Sequence, residues 1–303
     1  MSPITQRRLG PLAASILVLA TAACSLLVDT AGLAGRPAVA VTDAGSLSSG
    51  PTDGGVESGA PIDASRDADA AGAADAAPSI AETYAAAVLS DGPSMYLRLD
   101  ETGGATAVDA TGAHDGHYFG SVRHGVPGAF PGSTAMGLDG NGGIDAGPIF
   151  DFDGVKPMTL EAWHRSTKID MTYRFIFAKE VTDSMNRRQE YGVFLQSPDG
   201  FYVERYVNDV SASAGTDLPA PGGGFHHVVA TYDGAKAFFW VDGAVVGSFD
   251  DTRSATTKPG RSFCVGAHDP SYGALYGDVD DAAVYEKALT PARILAHYAA
   301  AGR

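Results

Sequence analysis

Cysteine is nearly missing from this chain: Cys24 and Cys264 are the two among 303 residues. That excludes a small disulfide-stapled scaffold. The fold has to be held by its hydrophobic core, with a bound metal as the one chemical aid. Basic residues are also scarce, with 21 Lys and Arg against 36 Asp and Glu and a net charge of −15. Residues 1–24 carry +2 and residues 25–83 carry −7, which leaves −10 for residues 84–303. A domain of that sign lacks the basic footprint that nucleic acid requires. There is no Gly-x-Ser-x-Gly elbow and no Gly-x-x-x-x-Gly-Lys-[Ser/Thr] loop, so serine-hydrolase and phosphate-loop chemistry have no foothold.

The N-terminus reads as a targeting segment. Arg7 and Arg8 precede an apolar run, Leu12 to Ala20, that is too short to span a bilayer as a helix. The run closes on Ala20-Thr21-Ala22-Ala23-Cys24. Small residues before a cysteine fit a bacterial lipoprotein signal with Cys24 as the lipidated residue, although Thr21 stands where such signals usually carry leucine. The alternative is ordinary export with cleavage at Ala20-Thr21-Ala22. The expected location is the bacterial cell envelope, on the outer membrane or surface, with the lipid as the sole membrane contact. Cys264 lies in the apolar run Ser262 to Gly266 and reads as a buried thiol.

Residues 25–82 contain no aromatic residue and no helical or strand period. Ala, Asp, Gly, Ser and Pro cannot bury enough apolar surface to offset the entropy of ordering, so this stretch reads as a disordered linker. A flexible coil of this length has a root-mean-square span of roughly 40 Å.

Residues 83–303 form the globular domain. Phe225 to Phe249 reads as a three-strand meander, with β-branched and aromatic runs separated by Asp233-Gly234 and Asp242-Gly243. Apolar residues on both sides of these strands indicate a sheet covered on both faces. Further strands are expected at Tyr96–Leu99, Ala135–Leu138, Met158–His164, Arg174–Lys179, Gly192–Gln196, Gly200–Tyr206, Ser262–Gly266 and Gly277–Tyr285, with loops from Glu101 to Gly120 and at Asp139–Gly143. Ile149 to Phe152 is expected to begin another element. Ala81–Leu89 is a short entry helix, and a last helix is capped by Thr290 with Pro291 at its first position.

Several of these segments carry a resemblance. His226-His227-Val228-Val229-Ala230-Thr231-Tyr232-Asp233-Gly234 followed by Val241-Asp242-Gly243 is similar to the laminin-G-like, concanavalin A-type jelly rolls. So are Tyr96 to Glu101, Thr159-Leu160-Glu161-Ala162-Trp163, Gly277 to Tyr285, and Leu289-Thr290-Pro291 through Tyr298. The resemblance implies an all-β, two-sheet antiparallel jelly-roll sandwich with a short C-terminal helix. It also implies a structural Ca²⁺, with Asp100, Gly140 and Asp280 as its expected holders. Without metal, Asp280 would accept hydrogen bonds from turn amides.

The same architecture hosts glycoside hydrolases, which need two carboxylates roughly 5–9 Å apart. Glu161 has Thr159 and Trp163 at the alternate positions, and Asp151/Asp153 and Asp278/Asp280 lack the accompanying glutamates. The expectation is therefore a non-enzyme that binds a glycan or a surface protein; the alternatives are a glycoside hydrolase of this fold and a structural envelope protein without a small ligand. Stacking on tyrosine would carry sugar binding. Of Tyr173, Tyr202, Tyr206, Tyr272 and Tyr276, the four assigned to the ligand are Tyr173, Tyr206, Tyr272 and Tyr276. Asp139, Asn141, Asp145 and Asp151–Asp153 could serve a ligand-linked calcium, although turn hydrogen bonds are the commoner use of such residues. His114, His117 and His124 form a loop cluster, and His226 and His227 point to opposite faces. Trp163 and Trp240 read as core.

Overall fold

The computed structural model describes residues 77–183, 186–196, 200–208, 210–217 and 223–303, with side chains for all of these outside 180–189. The targeting segment, Cys24 and all but the last residues of the linker lie outside the described residues. Among the described residues, no helix is long and apolar enough to cross a membrane.

The domain is antiparallel β. After helix α1 (Ile80–Ser90) come β1 (Met95–Leu97), β2 (Thr106–Ala107), β3 (Gly116–Pro127), β4 (Thr134–Asp145) and β5 (Met158–Ser166). Then follow β6 (Arg174–Asp183), β7 (Asn186–Gln196), β8 (Gly200–Val207) and β9 (Val210–Asp217). The expected meander is β10 (His226–Tyr232), β11 (Lys236–Val241) and β12 (Ala244–Asp250), and the chain ends with β13 (Phe263–Val265), β14 (Tyr276–Tyr285) and α2 (Pro291–Ala300). The strands are ordered β12-β11-β10-β5-β14-β4-β13-β6-β7-β8-β9, with β1 on β14, β3 on β4 and β2 on β3. Gly247 of β12 abuts Ala214 and Gly215 of β9, so the two ends of the path meet. The result is a nearly closed sandwich, as the jelly-roll expectation required.

Inward side chains meet in one core: Leu138, Leu160, Ile176, Phe177, Val193, Phe201, Val228, Phe239 and Val279 are all below 2% exposure. Each such Val, Leu, Ile or Phe adds ~1.5–3 kcal/mol when fully buried. β5, β10 and β14 are buried on both faces. Their outer side chains, Trp163, Val229 and Tyr285, lie under the two helices with Tyr84, Val88 and Ile294. Trp163 and Trp240 are buried there, so both are core as expected.

Two glycine-rich stretches departed from expectation. β2 and β3 occupy the stretch expected to be a loop, and Asp139–Gly143 continues β4 instead of turning. Glycine makes this pairing feasible: a Cβ on Gly120 would come 2.7 Å from the Gly142 Cα across the pair. His117 and His124 therefore sit on β3. His124 packs edge-on against Tyr118 and His114 against Phe150, so the three histidines do not converge. Ile149–Phe152 forms no element; Phe150 has a φ of 62° in an irregular segment.

The helices are fixed by local chemistry and by one carboxylate. Ser79 and Glu82 form a capping box, with the Glu82 amide donating to Ser79 Oγ at 3.2 Å and the Ser79 amide donating to Glu82 Oε2 at 2.7 Å. This starts α1 at Ile80, ahead of the expected domain edge at residue 83. Thr290 and Pro291 begin α2 as expected, but the Thr290 hydroxyl makes no cap bond.

Glu161 of β5 is 1% exposed. Its Oε1 takes the Tyr84 hydroxyl at 2.9 Å, His227 Nε2 at 2.8 Å and His297 Nδ1 at 3.0 Å. Its Oε2 takes the Tyr285 hydroxyl at 3.1 Å. On its far side, His297 Nε2 lies 2.8 Å from Asp91 Oδ2, which also accepts from Arg293 Nε at 2.7 Å. One residue on the sheet thus holds α1 through Tyr84 and α2 through His297.

Burial pushes the Glu161 carboxyl up, but the hydrogen bonds and charges of His227 and His297 outweigh it and hold it far below the usual range. Burial favours the neutral form of His297, but the Glu161 hydrogen bond and the charges of Glu161 and Asp91 raise its pKa. A raised folded-state value contributes stability below the unfolded value of about 6.5, and that contribution is lost as the pH rises through the folded value. Urea unfolding followed against pH should show stability declining above about pH 6.5. His297→Gln should flatten that decline. Glu161→Ala, which strands buried donors, should cost about 3–5 kcal/mol at neutral pH.

Candidate ligand-binding face

The outer faces of β6, β7, β8 and β9 carry an aligned row. Phe175 pairs with Phe194, Phe194 with Tyr202, and Tyr202 with Gly215. Alternation along each strand puts Val193, Leu195, Phe201 and Val203 in the core and leaves this row outside it. Phe175 and Phe194 are themselves buried, because Tyr173 packs on both and Tyr202 lies beside Phe194 at 5.6 Å and 18°.

The Tyr202 ring lies along the sheet. A Cβ on Gly215 would come 2.4 Å from its ring, and one on Gly200 would come 2.5 Å from it. The two glycines therefore leave the floor on which the ring rests. Tyr173 is 40% exposed and Met171, two residues earlier, 83% exposed, so this rim presents apolar surface to solvent.

Beside the row is a pocket of about 190 Å³, lined among others by Asn141, Thr172, Arg174, Asp269, Ser271 and Tyr272. Arg174 is fixed there by a fork onto Asp170, at 3.0 and 2.6 Å, and by a bond from Nη1 to Ala274 O at 2.9 Å. Asp269 accepts the Ser271 amide and hydroxyl, both at 2.7 Å, and lies 2.9 Å from His268 Nδ1. Burial pushes its carboxyl up, yet these His268 and Ser271 contacts hold it down at about 2.

The tyrosines assigned from sequence have different fates. Tyr173 and Tyr272 join the aromatic row and the pocket. The Tyr276 ring is flanked by Gly140, where a Cβ would come 2.4 Å from it, and by Lys168 and Arg174 at 4.3 and 4.6 Å. Tyr206 shares the outer face of β8 but lies four residues, ~13 Å, from Tyr202. Tyr202 was one candidate among five from sequence; the Gly200-x-Tyr202 alternation was the available signal, but its partner Gly215 lies on another strand.

The metal residues also separate. Asp280 and Asp281 are both buried on β14, at a bulge where Asp281 has a φ of 50°. Asp280 Oδ2 accepts from the Ala129 amide at 2.8 Å and the Ser133 hydroxyl at 3.3 Å, and Asp281 accepts from the Tyr96 hydroxyl. Burial, with some help from Asp100, lifts Asp280 to about 7; burial and the Asp280 charge also lift Asp281. Asp100 is thus among the charges felt by both carboxylates. Gly140 lies apart: its amide donates to Leu275 O, five residues or ~16 Å along β14 from Asp280. The glycine against Asp280 is Gly128, where a Cβ would come 2.5 Å from Oδ2.

Among the described residues, no three His, Cys, Asp or Glu side chains gather as a metal cluster, and no Lys or Arg forms an ion pair with Asp280 or Asp281. Both carboxylates are met by donors: the Ala129 amide and the hydroxyls of Ser133 and Tyr96.

The other acids are engaged. Asp145 accepts from the Gly147 amide, Asp153 from Thr257, and Asp151 pairs with the buried Lys179 at 2.7 Å. Lys179 Nζ also donates to the carbonyls of Ile149 and Arg261, so an ammonium fills this oxygen cage. Glu161 is sealed by its donors, out of reach of a substrate.

Residues 138–295 match the family described as the concanavalin A-like lectin/glucanases superfamily. No curated protein matches the sequence. The fold is similar to domain 4 of AbnA, a GH43 extracellular arabinanase from Geobacillus stearothermophilus in complex with arabinotriose, at a TM-score of 0.50 and 18% identity, covering 68% of this chain and 98% of that one. It is also similar to Trypanosoma rangeli sialidase in complex with sialic acid, at 0.50 and 15% identity, covering 70% of this chain; the match spans 33% of the sialidase. The binding domain of Paraclostridial Mosquitocidal Protein 1 gives 0.54 and 11% identity, covering 69% and 52%. At these identities the likeness is one of fold.

Gly215→Ala and Gly200→Ala should each lift the Tyr202 ring from the sheet. The expected result is a changed near-ultraviolet circular dichroism signal with the far-ultraviolet spectrum preserved; an unchanged aromatic signal would remove the cradle.

Proposed function

Because the chain belongs to the concanavalin A-like lectin/glucanases superfamily, we propose that it is a non-catalytic glycan-binding module of the bacterial cell surface, exported and held there through a lipid on Cys24. The observation that carries the reading is Tyr202 laid along the sheet by Gly200 and Gly215, with Tyr173 and Tyr272 nearby. A flat aromatic face suits the apolar face of a sugar ring. The adjoining pocket offers hydroxyl, amide and carboxylate groups for the sugar's rim. The arabinotriose carried by the arabinanase domain supports a glycan as ligand. Exposed Met171 beside Tyr173 favours a surface protein as the second reading.

A structural Ca²⁺ belongs to the same proposal. Asp280 and Asp281 would hold it, near Asp100, and it would relieve their mutual repulsion and brace β14 against the segment at Gly128.

A glycan array followed by calorimetry tests the first part. Tyr202→Ala and Tyr173→Ala should each weaken binding roughly two- to tenfold, the range of a single aromatic contact. Arrays silent with and without calcium would end the glycan reading and leave the protein partner. For the metal, Ca²⁺ at a hundred times its Kd should raise Tm by about 5–10 °C. Asp280→Asn should abolish that rise, and a Tm indifferent to Ca²⁺ and chelator would exclude the site.

A further inference from the structure

A second cleft, of about 360 Å³, opens around Arg123, Arg165, Thr167 and Asp278. It lies on the outer side of β14 and β5, where Asp278 stands opposite Arg165, and Tyr276, two residues before Asp278 on β14, shares that side ~7 Å away. Arg165 is locked in place. Its Nε and Nη2 donate to Asp278 Oδ2 at 2.8 and 2.6 Å, and its guanidinium lies 4.7 Å from the Phe225 ring centre. Asp278 is 4% exposed and forms a second ion pair, 3.7 Å, with Arg123 Nη2. Gly137 provides the space: a Cβ there would come 2.9 Å from the Arg123 guanidinium.

Arg123 has one more partner, Asp139, at 3.1 Å, and that carboxylate is 69% exposed. An exposed pair of this kind contributes about 0–1 kcal/mol and yields readily to a better acceptor. The Nη1 groups of both arginines donate to no acceptor among the described residues. Two guanidinium groups thus converge on one buried carboxylate with donors to spare. Arginine forks match the oxygens of carboxylate and sulfate.

We infer that this cleft is a subsite for an anionic group, a carboxylate or a sulfate, carried by a sugar of the glycan that the protein binds. This rests on the glycan reading. The ligand class is accordingly an acidic oligosaccharide, with Arg165 as the fixed contact and Arg123 as the one that leaves Asp139 to close on it. The acidity of the domain as a whole does not oppose this, because beyond about 10 Å charges are screened at physiological salt.

Calorimetry on the full chain with three probes tests it: hexagalacturonate, its fully methyl-esterified form, and a sulfated galactan hexamer. The charged probes compare carboxylate with sulfate, and the ester removes charge while keeping the rings. At least one charged probe should bind about tenfold more tightly than the ester, and Arg123→Gln should remove most of that margin without moving ester affinity. Asp139→Asn, which frees Arg123 and leaves Asp278 paired, should tighten charged-probe binding. Equal affinity for all three probes, or a margin unaltered by Arg123→Gln, overturns the subsite. In that event ester binding that falls in Tyr202→Ala would leave the stacking reading standing. A charged-probe preference that depends on Arg123 but not on Tyr202 would support the subsite and overturn the stacking. No binding of any probe overturns the subsite.

Discussion

Removing a carboxylate from water is tolerable only when its lone pairs are met, and Glu161 is the point on which this constraint acts most strongly. It sits in the middle of a sheet that is apolar on both faces, where the inner face is served by the core and the outer face needs a cover. Apolar contact alone would let two short helices slide across that surface. Two tyrosines and two histidines that converge on one buried oxygen pair fix where they lie. The arrangement of His, Glu and Asp looks like a catalytic relay, but its enclosure beneath Tyr84 and Trp163 gives it a different role. It sets the position of the terminal helices, and the other layer is left to meet solvent.

That division of labour assigns the two layers separate tasks. The sheet under the helices spends its outer residues on packing. The opposite layer keeps its outer residues at the surface, where Tyr173, Tyr202 and Tyr272 rest on a buried base of Phe175, Phe194 and His268. Rigid aromatic platforms lose little entropy when a ligand arrives, since the base has already fixed them.

Much of the fold was legible in the sequence because strand alternation and Asp-Gly turns are local signals. The meander at 226–250 and the strands from Met158 onward, apart from β9, followed from them. The misreadings have a common cause. Gly120, Gly142 and their neighbours read as turns when considered singly, because glycine favours turns. Their use here is close approach between two chains, which is a property of the pair. The same limit applied to the site. Tyr202 was visible, but its setting depends on Gly215 across the sheet. Gly140 was grouped with Asp100 and Asp280 by resemblance and lies several residues from Asp280 along the sheet, whereas Gly128 is the glycine against Asp280. Glu161 drew attention as a lone acid without an acidic neighbour, yet what defines it is a set of donors drawn from α1, β10, β14 and α2.

The register of β6 to β9 carries one more implication. Phe175, Phe194, Tyr202 and Gly215 line up because backbone amides and carbonyls pair, irrespective of what the side chains are. Their inward neighbours, among them Val193 and Val203, carry the folding free energy. Outward positions can therefore be exchanged with little penalty to the scaffold, and each exchange lands at a fixed lateral step from the next. A family built this way would diversify its specificity tile by tile on an unchanging floor.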